Sequence, residues 1–387
     1  MLVQENRLIA ISTPLSEDEL ALYKAEIIED LARPFTIDVE LISENHNISL
    51  DDLMGKNVTV RLGTADDVRY FNGFVTEFHQ LPNTDRYSRY GAMIRPWFWL
   101  LKLSENCRIF QDKSYPDIIQ EVFDSLGFSD YEIKLTGTYQ PQEYVVQFNE
   151  SDFNFVTRLM EQEGIYYYFE HTDGKHTFIM ADDSSILSDQ GNIPFYHAED
   201  TSNQFNIEGI SKWENYRKIK TGGIRLSDFD FETPSKNLEF VSTDPKTASL
   251  SSLEKFTYPG KYKERGMGSE YTRLLMEKEN VAYETKIANS NVRTLFSGSH
   301  FSLKDHYRDD QNSQYLITHY RCNLQSDEFL SNSNQVDSEV FTSEFTAIPS
   351  TVVYRTQITA TKPKMVGPQT AMVVGKAGEE IWTDKYG

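Results

Sequence analysis

NESDFNFVTRLMEQEGIYYYFEHTDGKHTFIM (residues 149–180) decides how the chain is read. Between residues 161 and 176, the carboxylates Glu161, Glu163 and Glu170 stand beside the rings of Tyr166, Tyr167, Tyr168 and Phe169, with His171 and His176 close behind. Acids and rings together suit either the floor of a sugar-cleaving pocket or an inert wall, and spacing separates the two. Phe155, Val156, Leu159 and Met160 follow the three-to-four spacing of one helix face. Asn149 is the expected cap, with Asp152 in the first turn. Gly164 is the expected stop. Glu161 and Glu163 lie two residues apart, about 200° around such a helix, so they do not converge on one substrate.

The following IYYYFEH (165–171) reads as a strand with bulky, largely apolar residues on both faces, which predicts that both are covered. Asp173-Gly174 is a strong hairpin signal. A two-residue turn there pairs His171 with His176, Phe169 with Phe178 and Tyr167 with Met180. Register alone then brings the two histidines together. Two ligands from adjacent strands begin a metal site, but no third is evident nearby. The expectation is a helix, a stop and a sheet hairpin, with no metal.

Outward from this unit most of the chain reads as strands. In FTIDVELIS (35–43), Phe35, Ile37, Val39 and Leu41 alternate with Thr36, Asp38 and Glu40, the period of a half-buried strand. NVTVRL (57–62) and YFNGFVTEFHQL (70–81) continue the pattern, with Gly73 a candidate bulge. Ser114 and Asp117 have capping-box spacing. They open a helix with Pro116 in its first turn, an apolar stripe of Ile118, Ile119, Val122, Phe123 and Leu126, and Gly127 as its end. A third helix is expected over roughly 269–288. Residues 227–256 read as a polar connector and 326–343 as a long loop.

Lys and Arg total 38 against 59 Asp and Glu, a net charge of −21. Such a surface repels phosphate backbones, so nucleic acid is not an expected partner. Two cysteines, Cys107 and Cys322, make no disulfide framework and are expected as reduced thiols. The first twenty residues lack a basic start and a long apolar run, so no secretory signal is expected. The nucleophile elbow, the phosphate-binding loop and the His-Glu-x-x-His zinc motif are missing from the sequence. GMGS (266–269) lacks the third glycine of a dinucleotide loop and a buried strand before it. His300, His306 and His319, with Asp305, Asp309 and Asp310 near the second, read as a polar turn more readily than as a metal site. The numerous acids read as solvated surface charge. Expected catalytic, cofactor-binding and metal residues are therefore none.

Residues 148–182 closely resemble the corresponding unit of VgrG, the valine–glycine repeat spike protein family of bacterial type VI secretion systems. The resemblance extends through YGAMIRPWFWLLKLSENCRIFQDKSYPDIIQEVF (90–123), FTYPGKYKERGMGSEYTRLLMEKENVAYE (256–284) and GSHFSLKDHYRDDQNSQYLITHYRC (298–322) to the block at 345–387. It implies an α+β, mainly β fold like a phage baseplate hub. Two tube-forming β-barrel domains (1–105 and 227–360) would carry an α/β insertion (106–226). Residues 361–387 would form a linker and the truncated start of an oligonucleotide/oligosaccharide-binding (OB) fold, so the chain is expected to be a fragment of a longer spike protein or else a degenerate member of the family. Without the rest of that barrel, residues 366–387 are expected to be poorly ordered. The resemblance also implies a non-enzymatic homotrimer that docks on the Hcp tube protein, meets baseplate proteins, and carries an effector or tip cap through its C-terminal part. Such a protein is made in the cytoplasm and exported by the type VI system without a signal peptide. The alternatives are the hub of a phage or tailocin, a carbohydrate-active hydrolase and, more weakly, an adhesin.

Overall fold

The computed structural model describes the chain except residues 1, 6, 65–66, 84–85, 197–207, 247–251, 327–340, 369, 371, 373–374, 380–381 and 384–387. The first strands are β1 (Ile9–Ser12), β2 (Ala21–Asp30), β3 (Thr36–Ser43), β4 (Asn57–Gly63), β5 (Val68–Leu81) and β6 (Ser88–Arg95). Phe35, Ile37, Val39 and Leu41 are all buried, as their alternation predicts. The bulge in β5 is not at Gly73. Register slips between Val75 and Glu77, leaving Thr76 as the extra residue, whereas Gly73 pairs regularly with Val58. Gly73 has a different reason to be small: a Cβ there would lie 2.7 Å from Ile94 Cγ2.

Next come β7 (Glu105–Phe110), α1 (Tyr115–Ser125), β8 (Tyr131–Lys134), β9 (Val145–Ser151), α2 (Asp152–Glu163), β10 (Tyr166–Thr172) and β11 (Lys175–Ala181). α1 has the Ser114–Asp117 capping box. α2 ends at Gly164 in the left-handed region, φ 71°. Its cap is Ser151, whose hydroxyl accepts from Asn154 N, so the Asn149 expectation is corrected. Asn149 itself sits at φ 43°, and its side chain bonds Cys107. The hairpin register is the predicted one, with Tyr167 opposite Met180, Phe169 opposite Phe178 and His171 opposite His176. Ile165 through Phe169 are buried on both faces.

The remaining elements are β12 (Asp189–Pro194), β13 (Ile210–Arg217), β14 (Gly223–Ser227), β15 (Glu239–Thr243), β16 (Glu254–Thr257), α3 (Arg265–Val281), β17 (Glu284–Ser290), β18 (His300–Lys304), β19 (Gln314–Gln325) and β20 (Phe341–Pro349). The polar connector at 227–256 is corrected: it holds β15 and β16, which flank β14 in a small sheet. α3 covers that sheet with Tyr271, Leu274 and Met276, against Ile224 and Leu226. It starts earlier than the expected 269 and stops at Val281, because β17 takes over at Glu284. Of the expected loop at 326–343, residues 327–340 lie outside the described residues, and Phe341–Ser343 belong to β20.

The main sheet runs β1-β4-β5-β6-β3-β2-β19-β20-β17-β13, with β18 on β19 and β12 on β18. The two strand sets expected as two barrels are thus joined edge to edge where β2 meets β19 antiparallel, Asp30 opposite His319. One apolar core runs beneath both sets and the helix–hairpin unit, through Phe35, Trp97, Phe98, Tyr167, Tyr320 and Phe345. Beyond Pro349 no described residue lies in a strand. Parts of 366–387, where weak order was expected, lie outside the described residues.

Candidate functional site

Two buried polar clusters stand out. The first is at the seam between the strand sets. Arg69, near the start of β5, reaches across it. Its Nη1 donates to Leu295 O at 2.5 Å and Arg293 O at 3.2 Å, both on the β17–β18 connection, and lies 3.3 Å from the Tyr320 hydroxyl of β19. Its Nη2 pairs with Glu29 of β2 at 2.8 Å. Burial pushes the Glu29 carboxyl up, but Arg69 and the His171 contact outweigh that and hold it below the usual range. On the solvent side of the same strand pair, His319 bonds Asp30 at 2.6 Å and Arg321 pairs with Glu26.

The second fastening holds residues 354–362, a strap with no strand partner among the described residues. Asn154 and Glu161 lie seven residues apart on α2, hence on one face two turns apart. Glu161, 2% exposed, accepts from Thr359 N at 3.0 Å, Ala360 N at 2.9 Å and the Thr359 hydroxyl at 2.7 Å. Asn154 Nδ2 donates to Thr361 O at 2.9 Å. Arg355 donates to the carbonyls of Gly164 and Asp182 and pairs with Glu277 of α3 at 2.8 Å. Tyr354 donates to Leu31 O at 3.1 Å. Gly164 is where α2, α3 and the strap crowd: a Cβ there would be 2.6 Å from Leu274 and 3.2 Å from Arg355.

The residues weighed from sequence fall elsewhere. His176 accepts from Trp97 N at 3.0 Å through Nε2 and bonds the Asn72 side chain through Nδ1 at 2.9 Å. Burial and neighbouring His171 push its pKa down to about 3, which keeps it neutral. His171 accepts from Asn72 N through Nδ1. Register brings these two rings together, each using at least one nitrogen to hold the sheet. His300 bonds Ser184 O at 2.8 Å, His306 accepts from Arg308 N at 3.1 Å, and His319 pairs with Asp30. Among the described residues no group of three or more His, Cys, Asp or Glu is placed to hold a metal. Cys107 is exposed and Cys322 buried, both free.

Glu161 and Glu163 diverge as the helix angle requires: Glu161 holds the strap, while Glu163 accepts from the Tyr271 hydroxyl at 2.8 Å. The reading of the acids as solvated needs correction at six of the described positions. Glu29, Glu150, Asp152, Glu161, Asp182 and Asp230 are all buried. Glu150 pairs with Arg158 at 2.7 Å, and Asp152 accepts from Ser104, Asn106, Arg108 and Gln147. Each buried carboxylate is saturated by fixed partners, an arrangement suited to holding backbone and helices in place. Sequence spacing had little signal for this, because partners such as Arg69 of Glu29, Ser104 of Asp152 and Thr359 of Glu161 come from distant segments.

Comparison with known proteins agrees with a scaffold. The sequence profile of the family described as Phage tail baseplate hub (GPD) matches residues 28–327. The Pseudomonas aeruginosa type VI secretion system spike protein VgrG1b is 37% identical over 390 residues, covering 100% of this chain and 52% of its own. VgrG1a of the same organism is 36% identical, covering 100% of this chain and 60% of its own. The chain therefore spans little more than half the length of these relatives. Among solved structures, an E. coli component of the type VI secretion system, described as similar to the T4 bacteriophage tail proteins gp27 and gp5, superposes with a TM-score of 0.69. It has 18% identity over 92% of this chain and 81% of its own. A tail protein from Neisseria meningitidis gives 0.63 at 12% identity, over 88% and 96%. These last two show shared fold alone. The chain belongs to the phage tail baseplate hub family, and along its whole length it is similar to the VgrG spike proteins of type VI secretion.

Proposed function

We propose that this chain is the hub region of a type VI secretion spike and works by shape and assembly, without catalysis. The carrying observation is the seam. Two strand sets joined through β2 and β19, and cross-tied by Arg69, offer two tube-type units in fixed relation within one chain. Three chains then present six such units, which answers how a threefold spike seats on a sixfold Hcp tube. We take the first unit as residues 1–105. The second is built from 227–360 together with β12 and β13, which precede residue 227 yet pair with β18 and β17. In this reading baseplate proteins meet the outer surface. The strap at 354–362 leads into a C-terminal region that carries needle, cap or effector. Export follows the type VI route.

The saturated buried acids favour this scaffold over a two-carboxylate hydrolase, which needs one acid free to move a proton. The whole-length similarity to VgrG favours the type VI hub over a phage or tailocin hub. Light scattering tests the assembly. The expected result is a trimer, or a monomer that becomes trimeric when the C-terminal region of a spike relative is appended. A stable dimer or tetramer overturns the reading.

A further inference from the structure

Between α2, α3, the turn after β16 and the strap lies a cavity of about 280 Å³. Four cations line it from four segments: Arg158 on α2, Lys261 in the turn, Lys278 on α3 and Lys362 on the strap. One acid, Glu161, faces them, and its carboxylate already accepts from Thr359 and Ala360. Glu150 neutralises Arg158. Counting both acids, the balance is +4 − 2 = +2, in a chain whose net charge is −21.

Lys278 is the telling residue. It is 4% exposed, and its Nζ donates to the Glu161 carbonyl. No carboxylate of a described residue lies within ion-pair distance. An ammonium carries three donors, and burying one without a counter-charge is costly. Burial lowers its pKa to about 8, with Glu161 opposing that and Arg355 adding to it. Lys362 is also depressed, by burial and then by Arg158 and Lys261, which places the cations in one another's field. Leu226, Leu274, Leu275 and Ile358 supply the apolar part of the wall, and Gln162, Thr257 and Tyr271 also line it.

We propose that this cavity binds a carboxylate on a short aliphatic stem, the carboxylate against Lys278 and Lys362 and the stem against the leucines. Its volume is at the low end of ligand sites. The occupant is therefore the C-terminal residue of a peptide or a free short-chain acid, rather than a long chain. The inference stands on the cavity alone and survives if the hub reading fails.

Isothermal titration of the 387-residue chain with three probes tests it: hexanoate, N-acetyl-glycyl-leucine, and the same dipeptide as its C-terminal amide. The acids are expected to bind and the amide to bind at least about tenfold more weakly, since a charge-assisted contact is lost. The dipeptide acid binding more tightly than hexanoate identifies a peptide source; the reverse order identifies a free acid. Lys278→Met should remove binding. Because Lys278 also bonds α2, the second variant is Lys362→Gln at the exposed strap position, expected to weaken the acids about threefold to tenfold with an unchanged melting temperature. Equal binding of acid and amide overturns the proposal, as does an unaltered affinity in Lys362→Gln, or no binding of any probe at millimolar concentration.

Discussion

The seam and the strap are both fastened by buried charge, yet they hold different things. At the seam, Arg69 binds a carboxylate, two carbonyls and a hydroxyl where strands already pair on both sides. The ladder from β2 to β19 would exist without it, and the side chain fixes the angle between two paired surfaces. At the strap, Glu161 binds bare backbone N–H groups that have no ladder at all. There the side chain replaces a strand partner. A contact embedded in a sheet melts with the sheet, whereas a segment held by a few side-chain bonds opens by itself. In the proposed hub, the first arrangement suits a rigid part and the second suits a segment that moves independently of the sheet.

The largest expected effect tests the seam. Arg69→Met leaves Glu29 buried without its cation and should cost about 3–5 kcal/mol, measured by urea unfolding as a lower midpoint with one transition. Two separate transitions in the wild-type protein would break the comparison, because the strand sets would then not share one cooperative unit. Next in size is Glu161→Gln. An amide offers one acceptor oxygen and turns N–H groups toward the strap, so about 1–3 kcal/mol should be lost locally. Hydrogen exchange at Thr359 and Ala360 should quicken while β19 and β20 stay protected. Unchanged exchange at those two amides would show that the strap does not depend on Glu161.

The smallest effect sharpens the seam. His319 has a raised pKa, first through its Asp30 hydrogen bond and despite partial burial. The folded state therefore holds the proton more tightly than the unfolded one. The pair's stabilisation is complete below the ordinary imidazole value of about 6.5 and is lost as pH rises through the higher folded value. The side chains are about a third exposed, at 37% and 36%, so screening limits the effect to a few tenths of a kcal/mol. His176, held low by burial, contributes the opposite slope, with stability falling as pH drops below 6.5. Subtracting a His319→Gln variant isolates the seam. A wild-type-minus-variant difference that grows with pH would refute the assignment.

Legibility followed the same division. The hairpin was readable to the residue, because Asp173-Gly174 fixes the turn and period two fixes every pair after it. α1 was readable from Ser114 and Asp117. Asn149 was misplaced as the α2 cap, since Asn149 and Ser151 are both competent caps and only backbone geometry chooses between them. The small sheet was missed because β15 and β16 are short and mostly exposed, so no buried alternation marks them. Glu161 was misjudged for a related reason: Asn154, Thr157, Arg158 and Glu161 form a polar stripe on α2, the ordinary mark of a solvent face.

By itself the sequence determined the strand period, the Asp173-Gly174 turn, the start of α1, the Gly164 stop of α2 and the family, all of which rest on neighbours within a few residues or on matching blocks in order. The tertiary structure alone decided which polar groups are buried and what they hold. Glu161 meets Thr359 across 198 positions and Arg69 meets Leu295 across 226. Burial of a charge depends on which distant backbone arrives above it, and local spacing carries no record of that arrival.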